Sequence, residues 1–320
     1  MESMVNKKET VLVTGGAGFI GGHIVELLLK KAYRVIVIDI QKPCKSYFFL
    51  NHLDKNVDYR IVDIRSKKQV NQLFNLIHPT YIIHLAAQPI VQAAYDNPYG
   101  VFDTNIMGTV NILEACRKNK KIKRILVASS DKAYGKTKKT YTENSPLQGD
   151  HPYDVSKSCE DLIAQTYFKT YGLPVVVTRF GNVYGEGDMH FDRIVPGICQ
   201  SVLLGKPLQI RSDGTYVRDY IYVKDVAIGY VKLMVNKKNI SGEAYNFSSD
   251  DTCSVVELIK KARKALNKNI EYDIRNTAKN EIPYQHLDDA KIRTLLDWKA
   301  THSFERILSK IFDWYRTITI

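Results

Sequence analysis

The chain is predicted to be an α/β protein, a doubly wound parallel sheet with a smaller C-terminal α/β lobe. Three observations predict this. Short β-branched, apolar runs alternate with helical stretches over about 180 residues. The first run opens into a glycine-rich turn that leads a helix. From about Asn182 that rhythm gives way to shorter elements punctuated by glycine and by Pro196 and Pro207.

Thr10–Val13 reads as a buried strand and runs into Thr14–Gly21 (TGGAGFIG), with a helix over Ile20–Lys31. The glycines follow GxxGxxG. Gly15 permits the tight turn, Gly18 lets backbone approach a pyrophosphate, and Gly21 lets the helix pack close to the sheet. Phe19 precedes and Ile20 opens the helix, whose free N–H groups and positive dipole end favour an anion. A second strand, Val35–Ile38, ends in Asp39, 18 positions beyond Gly21. Its carboxylate is placed to accept from ribose hydroxyls and would repel a 2′-phosphate, so the expected cofactor is NAD. This pattern makes the fold Rossmann-type.

Tyr59–Val62 is the third predicted strand, ending at Asp63 and Ile64, where carboxylate and backbone are positioned for an adenine edge; an exposed capping Asp is the alternative. Lys67–Ile77 is helical. Tyr81–Leu85 is the fourth strand, with His84 read as a core histidine. Ala86 and Ala87 follow Leu85, and such small residues at a strand end let a cofactor lie against backbone. A long amphipathic helix, Thr104–Lys118, precedes the fifth strand, Ile125–Ser129. The cluster Ser130–Lys132 therefore falls at the carboxyl end of a strand, where ligand crevices of open sheets form. A further helix ends near Gly172, and the sixth strand is Val175–Arg179. Val223–Val235, Ser254–Leu266 and Phe304–Tyr315 are helical. The expected division is a cofactor domain over 1–181, with a segment near 217–236 returning to it, interwoven with a lobe over 182–320.

Asp150–Lys157 (DHPYDVSK) holds Tyr153 and Lys157 four residues apart, on one helix face and one turn apart. An ammonium about 5 Å from a phenol contributes roughly 3 kcal/mol at an effective dielectric of about 20. That is worth about two pK units, so the pair reads as a phenolate-like base. An ordinary exposed Tyr and Lys sharing a helix face is the bland alternative.

Composition bounds the partners. A net charge of +12 sits in lysine clusters such as Lys118–Arg124 and Lys136–Lys139. These lack interleaved aromatics and match no DNA-reading motif, so nucleic acid is not expected. A positive field favours a dianionic substrate instead. No apolar run reaches the length of a membrane span, and MESMVNKKET has no signal-peptide core. Five scattered cysteines without CxxC suit neither zinc nor disulfides, so no metal is expected and a reducing cytoplasm is.

Taken in order, TGGAGFIG, Asp39, HLAAQ, Ser129–Gly135, YDVSK, RFGNVYG and RDYIYVKDV resemble the extended short-chain dehydrogenase/reductase family over nearly the whole chain. LDDAKIRTLLDW also fits, with Asp297 where the family more often has glycine. HLAAQPIV, DTNIMGTVNILEA, SSDKAYG and GNVYGEGDMHFDRIVP look most like nucleotide-sugar 4,6-dehydratases of the CDP-glucose type. The resemblance implies a lyase of deoxysugar biosynthesis that binds NAD and a nucleotide-diphosphate sugar. Ser130, Tyr153 and Lys157 match the catalytic Ser/Thr, Tyr and Lys. Asn182, Arg193 and Arg218 match positions that contact the sugar nucleotide, and Gln88 is grouped with them; loop-anchoring ion pairs are the alternative for the two arginines. Asp131 is the implied acid at C6, which asks for a carboxyl raised by burial. Many relatives carry glutamate as C5 base where this chain has Lys132, so either Lys132 is that base or Asp131 makes both proton transfers. An epimerase or decarboxylase of the same family is the rival reading. A homodimer built on the helices Thr104–Lys118 and Tyr153–Tyr171 is expected by analogy.

Overall fold

In the computed structural model, residues 9–277 and 281–318 are described. Six strands follow the predicted rhythm: β1 (Thr10–Thr14), β2 (Arg34–Asp39), β3 (Asp58–Ile61), β4 (Tyr81–His84), β5 (Arg124–Ala128) and β6 (Val175–Phe180). They run in the order β6-β5-β4-β1-β2-β3 within a seven-stranded sheet. Leu12 of β1 sits between Ile36 of β2 and Ile82 of β4, all in parallel register. These residues are buried on both faces, which is why the strands read as continuous apolar runs rather than alternating ones. Each such side chain contributes about 1.5–3 kcal/mol through burial.

The order reverses between β1 and β4, the switch point where open α/β sheets bind ligands at their carboxyl ends. Helix Phe19–Lys30 follows β1, helix Lys67–Leu76 follows β3, and Gly108–Arg117 precedes β5. The predicted helix over Thr104–Lys118 is not uniform. Asp103–Met107 forms a single wide π turn ahead of the α-helical Gly108–Arg117. That turn carries buried Asn105 inward, where a regular helix would place it elsewhere in the repeat. His84 is a core histidine as predicted, buried between Thr14 Oγ1 at 2.7 Å and Thr109 Oγ1 at 2.9 Å.

Two compact units divide the chain. The first comprises Met1–Ala128, Cys159–Val177 and Tyr230–Glu243; the second comprises Ser129–Ser158, Thr178–Gly229 and Ala244–Ile320. Within the second, Thr252–Ser254 pairs antiparallel with Val217–Tyr222, which pairs parallel with Asn182–Tyr184. A smaller parallel pair joins Leu208–Ile210 to Tyr272–Ile274. Helices Val255–Leu266 and Phe304–Ile318 bury Leu258, Ile259, Leu308 and Ile311. Ser254 closes a capping box with Glu257, so local chemistry starts that helix where the sequence places it. Asp297 caps helix Ala290–Leu296 at φ 45°, a left-handed position that explains the glycine more usual there.

Candidate active site

The first unit carries a glycine cradle. Gly15 has φ 67°, and a Cβ there would lie 2.8 Å from the Ala86 nitrogen. Only glycine fits both the backbone and the space. A Cβ on Gly21 would run into the Gly15 carbonyl oxygen and come within 2.7 Å of the Gly16 Cα, so the helix lies directly on the turn. Gly18 is the N-cap of helix Phe19–Lys30, with no side-chain cap and no acidic residue in the first turn. The free N–H groups and dipole end are left for an anion. Phe19 packs edge-on against His23, and Ile20 is half-buried behind it. The Asp39 carboxylate closes one end of this turn. Burial raises it above the usual aspartate range, against the pull of the Ile40 and Ala17 backbone N–H groups.

Across the switch point, the Leu85 and Ala86 N–H groups both donate to Thr14 Oγ1 at 3.2 Å, which fixes the chain that leads into Ala87. Asn105 clamps the next residue: the Gln88 N–H donates to Asn105 Oδ1 at 2.7 Å, and Asn105 Nδ2 returns a bond to the Gln88 carbonyl. The Gln88 side chain accepts from the Ile90 N–H at 2.6 Å. Ile64 packs its side chain over Gly108. Arg65 grips the neighbouring Asp63 at 2.6 Å and holds its carboxyl below the usual range. A turn that a Cβ would fill, an uncapped helix start and a carboxylate at the end of β2 together fit an adenine dinucleotide.

The second unit carries the groups expected to transfer protons. Ser130, Asp131 and Lys132 form one tight turn after β5. Asp131 is 1% exposed. Its carboxylate accepts from Ser130 Oγ at 3.0 Å, from Lys132 Nζ at 3.4 Å and from Gln285 Nε2 at 2.9 Å. The turn is held from behind. Gln148 N and Ser158 Oγ both donate to the Ala133 carbonyl, at 2.9 and 2.8 Å, and Tyr141 Oη donates to Gly135 O at 2.6 Å. Arg179 Nη1 and Asn246 Oδ1 each meet Tyr134 Oη at 2.7 Å. Such a frame supports the turn from several sides of its backbone and side chains.

Tyr153 and Lys157 stand one turn apart at the start of helix Pro152–Tyr171 and are 8% and 4% exposed, so the reading as an exposed surface pair fails. Ser129 Oγ donates to the Lys157 carbonyl at 3.4 Å, tying the end of β5 to this helix. The Tyr153 N–H donates to His151 Nδ1 at 3.2 Å, and His151 Nε2 lies 3.2 Å from buried Asp154. Burial pushes the Asp154 carboxyl up to about 7 and lowers the His151 imidazole.

Of the residues expected to meet a sugar nucleotide, Asn182 is half-buried at the start of its strand, opposite Tyr220. Arg193 is anchored on buried Asp188 at 3.2 Å. Arg218 lies 3.6 Å from Glu281 and over the Tyr216 ring. Both arginines thus hold loops in the structure. Asn105, Asp154 and Gln285 were not among the sequence-predicted residues. A polar Asn within an apolar helical stretch is a signal for the first; Gln285 has no local signal. Among the described residues no group of His, Cys, Asp and Glu could hold a metal ion, and no helix is long and apolar enough to cross a membrane.

Residues 12–311 match the family described as GDP-mannose 4,6 dehydratase. A trifunctional UDP-glucose 4,6-dehydratase/UDP-4-keto-6-deoxy-D-glucose 3,5-epimerase/UDP-4-keto-L-rhamnose-reductase of Arabidopsis thaliana is 32% identical over 98% of this chain. The match takes in 48% of that relative, so the chain spans about half the length of this larger protein. UDP-glucuronic acid 4-epimerase from Bacillus cereus, solved with UDP-glucuronic acid and NAD, superposes with a TM-score of 0.89 at 28% identity, covering 97% of this chain and 99% of that one. The dTDP-glucose 4,6-dehydratase of Streptomyces venezuelae, solved with NAD, gives 0.86 at 28% identity, covering 96% and 97%.

Proposed function

The chain belongs to the GDP-mannose 4,6 dehydratase family, within the extended short-chain dehydrogenase/reductases, and from that premise we propose that it is an NAD-dependent nucleotide-sugar 4,6-dehydratase. Its substrate is an NDP-hexose of the CDP-glucose type, and its product the NDP-4-keto-6-deoxyhexose. The observation that carries this reading is the buried Asp131 carboxylate, locked in the turn with Ser130 and Lys132. Oxidation and reduction at C4 alone need no such group; loss of a C6 hydroxyl does.

NAD, held by Gly15, Gly18, Gly21 and Asp39, supplies reversible hydride transfer when bound. Phe19, Ile20, Asp63, Ile64 and Leu85–Ala87 are assigned to the same cofactor in this reading. Tyr153 takes the proton of the C4 hydroxyl, Ser130 hydrogen-bonds that oxygen, and Lys157 orients the cofactor ribose. A ketone at C4 makes the C5 hydrogen acidic. Lys132 or Asp131 takes that hydrogen as a proton, its electron pair forms the C5–C6 double bond, and the C6 oxygen, protonated by Asp131, leaves as water. Gln88, Asn182, Arg193 and Arg218 bind the sugar nucleotide; Arg193 and Arg218 do so by exchanging their present carboxylate partners for phosphate oxygens. The enzyme works in the cytoplasm as a homodimer. Exposed Met107, Leu162 and Tyr171 on the helices that would pair support that assembly.

A 4-epimerase is the second reading, favoured by the likeness to the Bacillus cereus enzyme. Purified protein offered CDP-, dTDP-, UDP- and GDP-glucose in turn, with products weighed by mass spectrometry, separates the two. Loss of one water from the CDP sugar is expected. A product of unchanged mass from every sugar overturns the dehydratase reading.

A further inference from the structure

Gln285 reaches the reactive turn from a segment 154 positions away in the sequence. Its backbone is pinned beside Val217: Val217 N donates to Pro283 O at 2.9 Å, and Gln285 N donates to Val217 O at 3.1 Å. The side chain is 1% exposed. Nε2 donates to Asp131 Oδ2 at 2.9 Å, while Oε1 accepts no hydrogen bond from any described residue. A buried amide with one end unsatisfied costs stability, and such a cost in a fold calls for an explanation. On the opposite side, Gly181 leaves room for the same oxygen: a Cβ there would lie 3.4 Å from Asp131 Oδ2.

Among the described residues, the polar partners of Asp131 are donors: Ser130 Oγ, Lys132 Nζ and Gln285 Nε2. The charged or titratable groups in electrostatic reach also include Asp154 and Tyr141. Donors around a carboxylate favour its ionised form, and their fixed directions hold its oxygens in place. Lys132, itself donating to that carboxylate, is arranged as its counter-ion rather than as a base.

Resting on the dehydratase reading, we propose that Gln285 positions Asp131 as an ionised carboxylate that takes the C5 proton and passes it to the departing C6 oxygen. The C5–H bond breaks, and its electron pair forms the C5–C6 double bond. The C6–O bond breaks with its pair going to oxygen, and the proton carried by Asp131 completes the water. One carboxylate thus does the work of an acid and a base, and ends the step ionised as it began.

The test compares wild type with Gln285→Leu, Gln285→Met and Gln285→Glu. In the Leu and Met variants kcat should fall by up to about 10²-fold with KM unchanged. The acid limb of the kcat–pH profile should move to higher pH, because the lost donor favoured the ionised form. Gln285→Glu sets a second carboxyl against Asp131 and should move that limb further. Deuterium wash-in at C5 from heavy water should slow in step with water loss. Unchanged kcat and pH profile in folded variants overturn the inference, as does wash-in that persists while water loss slows. If the Leu, Met and Glu variants all fail to fold, Gln285 is only a structural amide and the inference is again overturned. A wild type that dehydrates no sugar overturns the dehydratase reading instead, a separate result.

Discussion

Tyr153 has a single hydroxyl to offer, and its ring is almost fully buried. Tyr153→Phe should keep that packing, so Tm is expected to stay put while turnover falls by about 10²–10⁴-fold; turnover near the wild-type rate would remove Tyr153 from the chemistry. Asp154, a neighbour in sequence, makes a pH prediction. Its carboxyl stands at about 7 in the fold and near 3.9 in an unfolded chain. Between those values the folded state holds a proton that the unfolded state has released. Stability from this group therefore falls as pH rises through that window. Calorimetry at pH 5 and pH 8 should show Asp154→Asn gaining Tm relative to wild type at the higher pH; an equal difference at both would contradict it. Tyr153 and Lys157 stood out in the sequence because their four-residue spacing is local, and Ser130 through the resemblance. Asn105 and Gln285 act on partners 17 and 154 positions away. No periodicity encodes such a meeting; only the folded chain brings it about.

The glycine turn makes its prediction at the scale of an element. Gly21→Ala would force helix Phe19–Lys30 off the turn, because the obstructing atoms are backbone and cannot rotate away. Tm should drop and NAD should no longer co-purify; a variant that retains both would show that the packing has slack. At the other end of the chain, Ser254→Ala removes the capping box and should cost about 1 kcal/mol in a denaturant titration. Strands, glycine turn and caps were readable because each depends on neighbouring residues. The stretch Thr104–Lys118 was not fully so. Its apolar spacing is helical, but the wide turn at Asp103–Met107 answers to the Gln88 backbone that Asn105 must reach, a tertiary demand that outweighs local pattern.

For the molecule as a whole, the doubly wound sheet was legible because β1, β2, β4, β5 and β6 are largely buried and the strands alternate with helices. The membership of Ser129–Ser158 in the second compact unit could not be read, because that assignment follows from where the chain packs and not from its composition. The charge of +12 sets up a field that should speed capture of an anionic sugar nucleotide. Raising ionic strength should lower kcat/KM and leave kcat unchanged; a flat kcat/KM would mean that the lysine clusters serve solubility alone. The central claim is the loss of the C6 hydroxyl from a nucleotide sugar. Mass spectrometry of the product formed from CDP-glucose in heavy water tests it most directly. The account predicts a sugar lighter by one water and carrying solvent deuterium at C5, whereas a product that keeps its oxygen and its C5 hydrogen would contradict it.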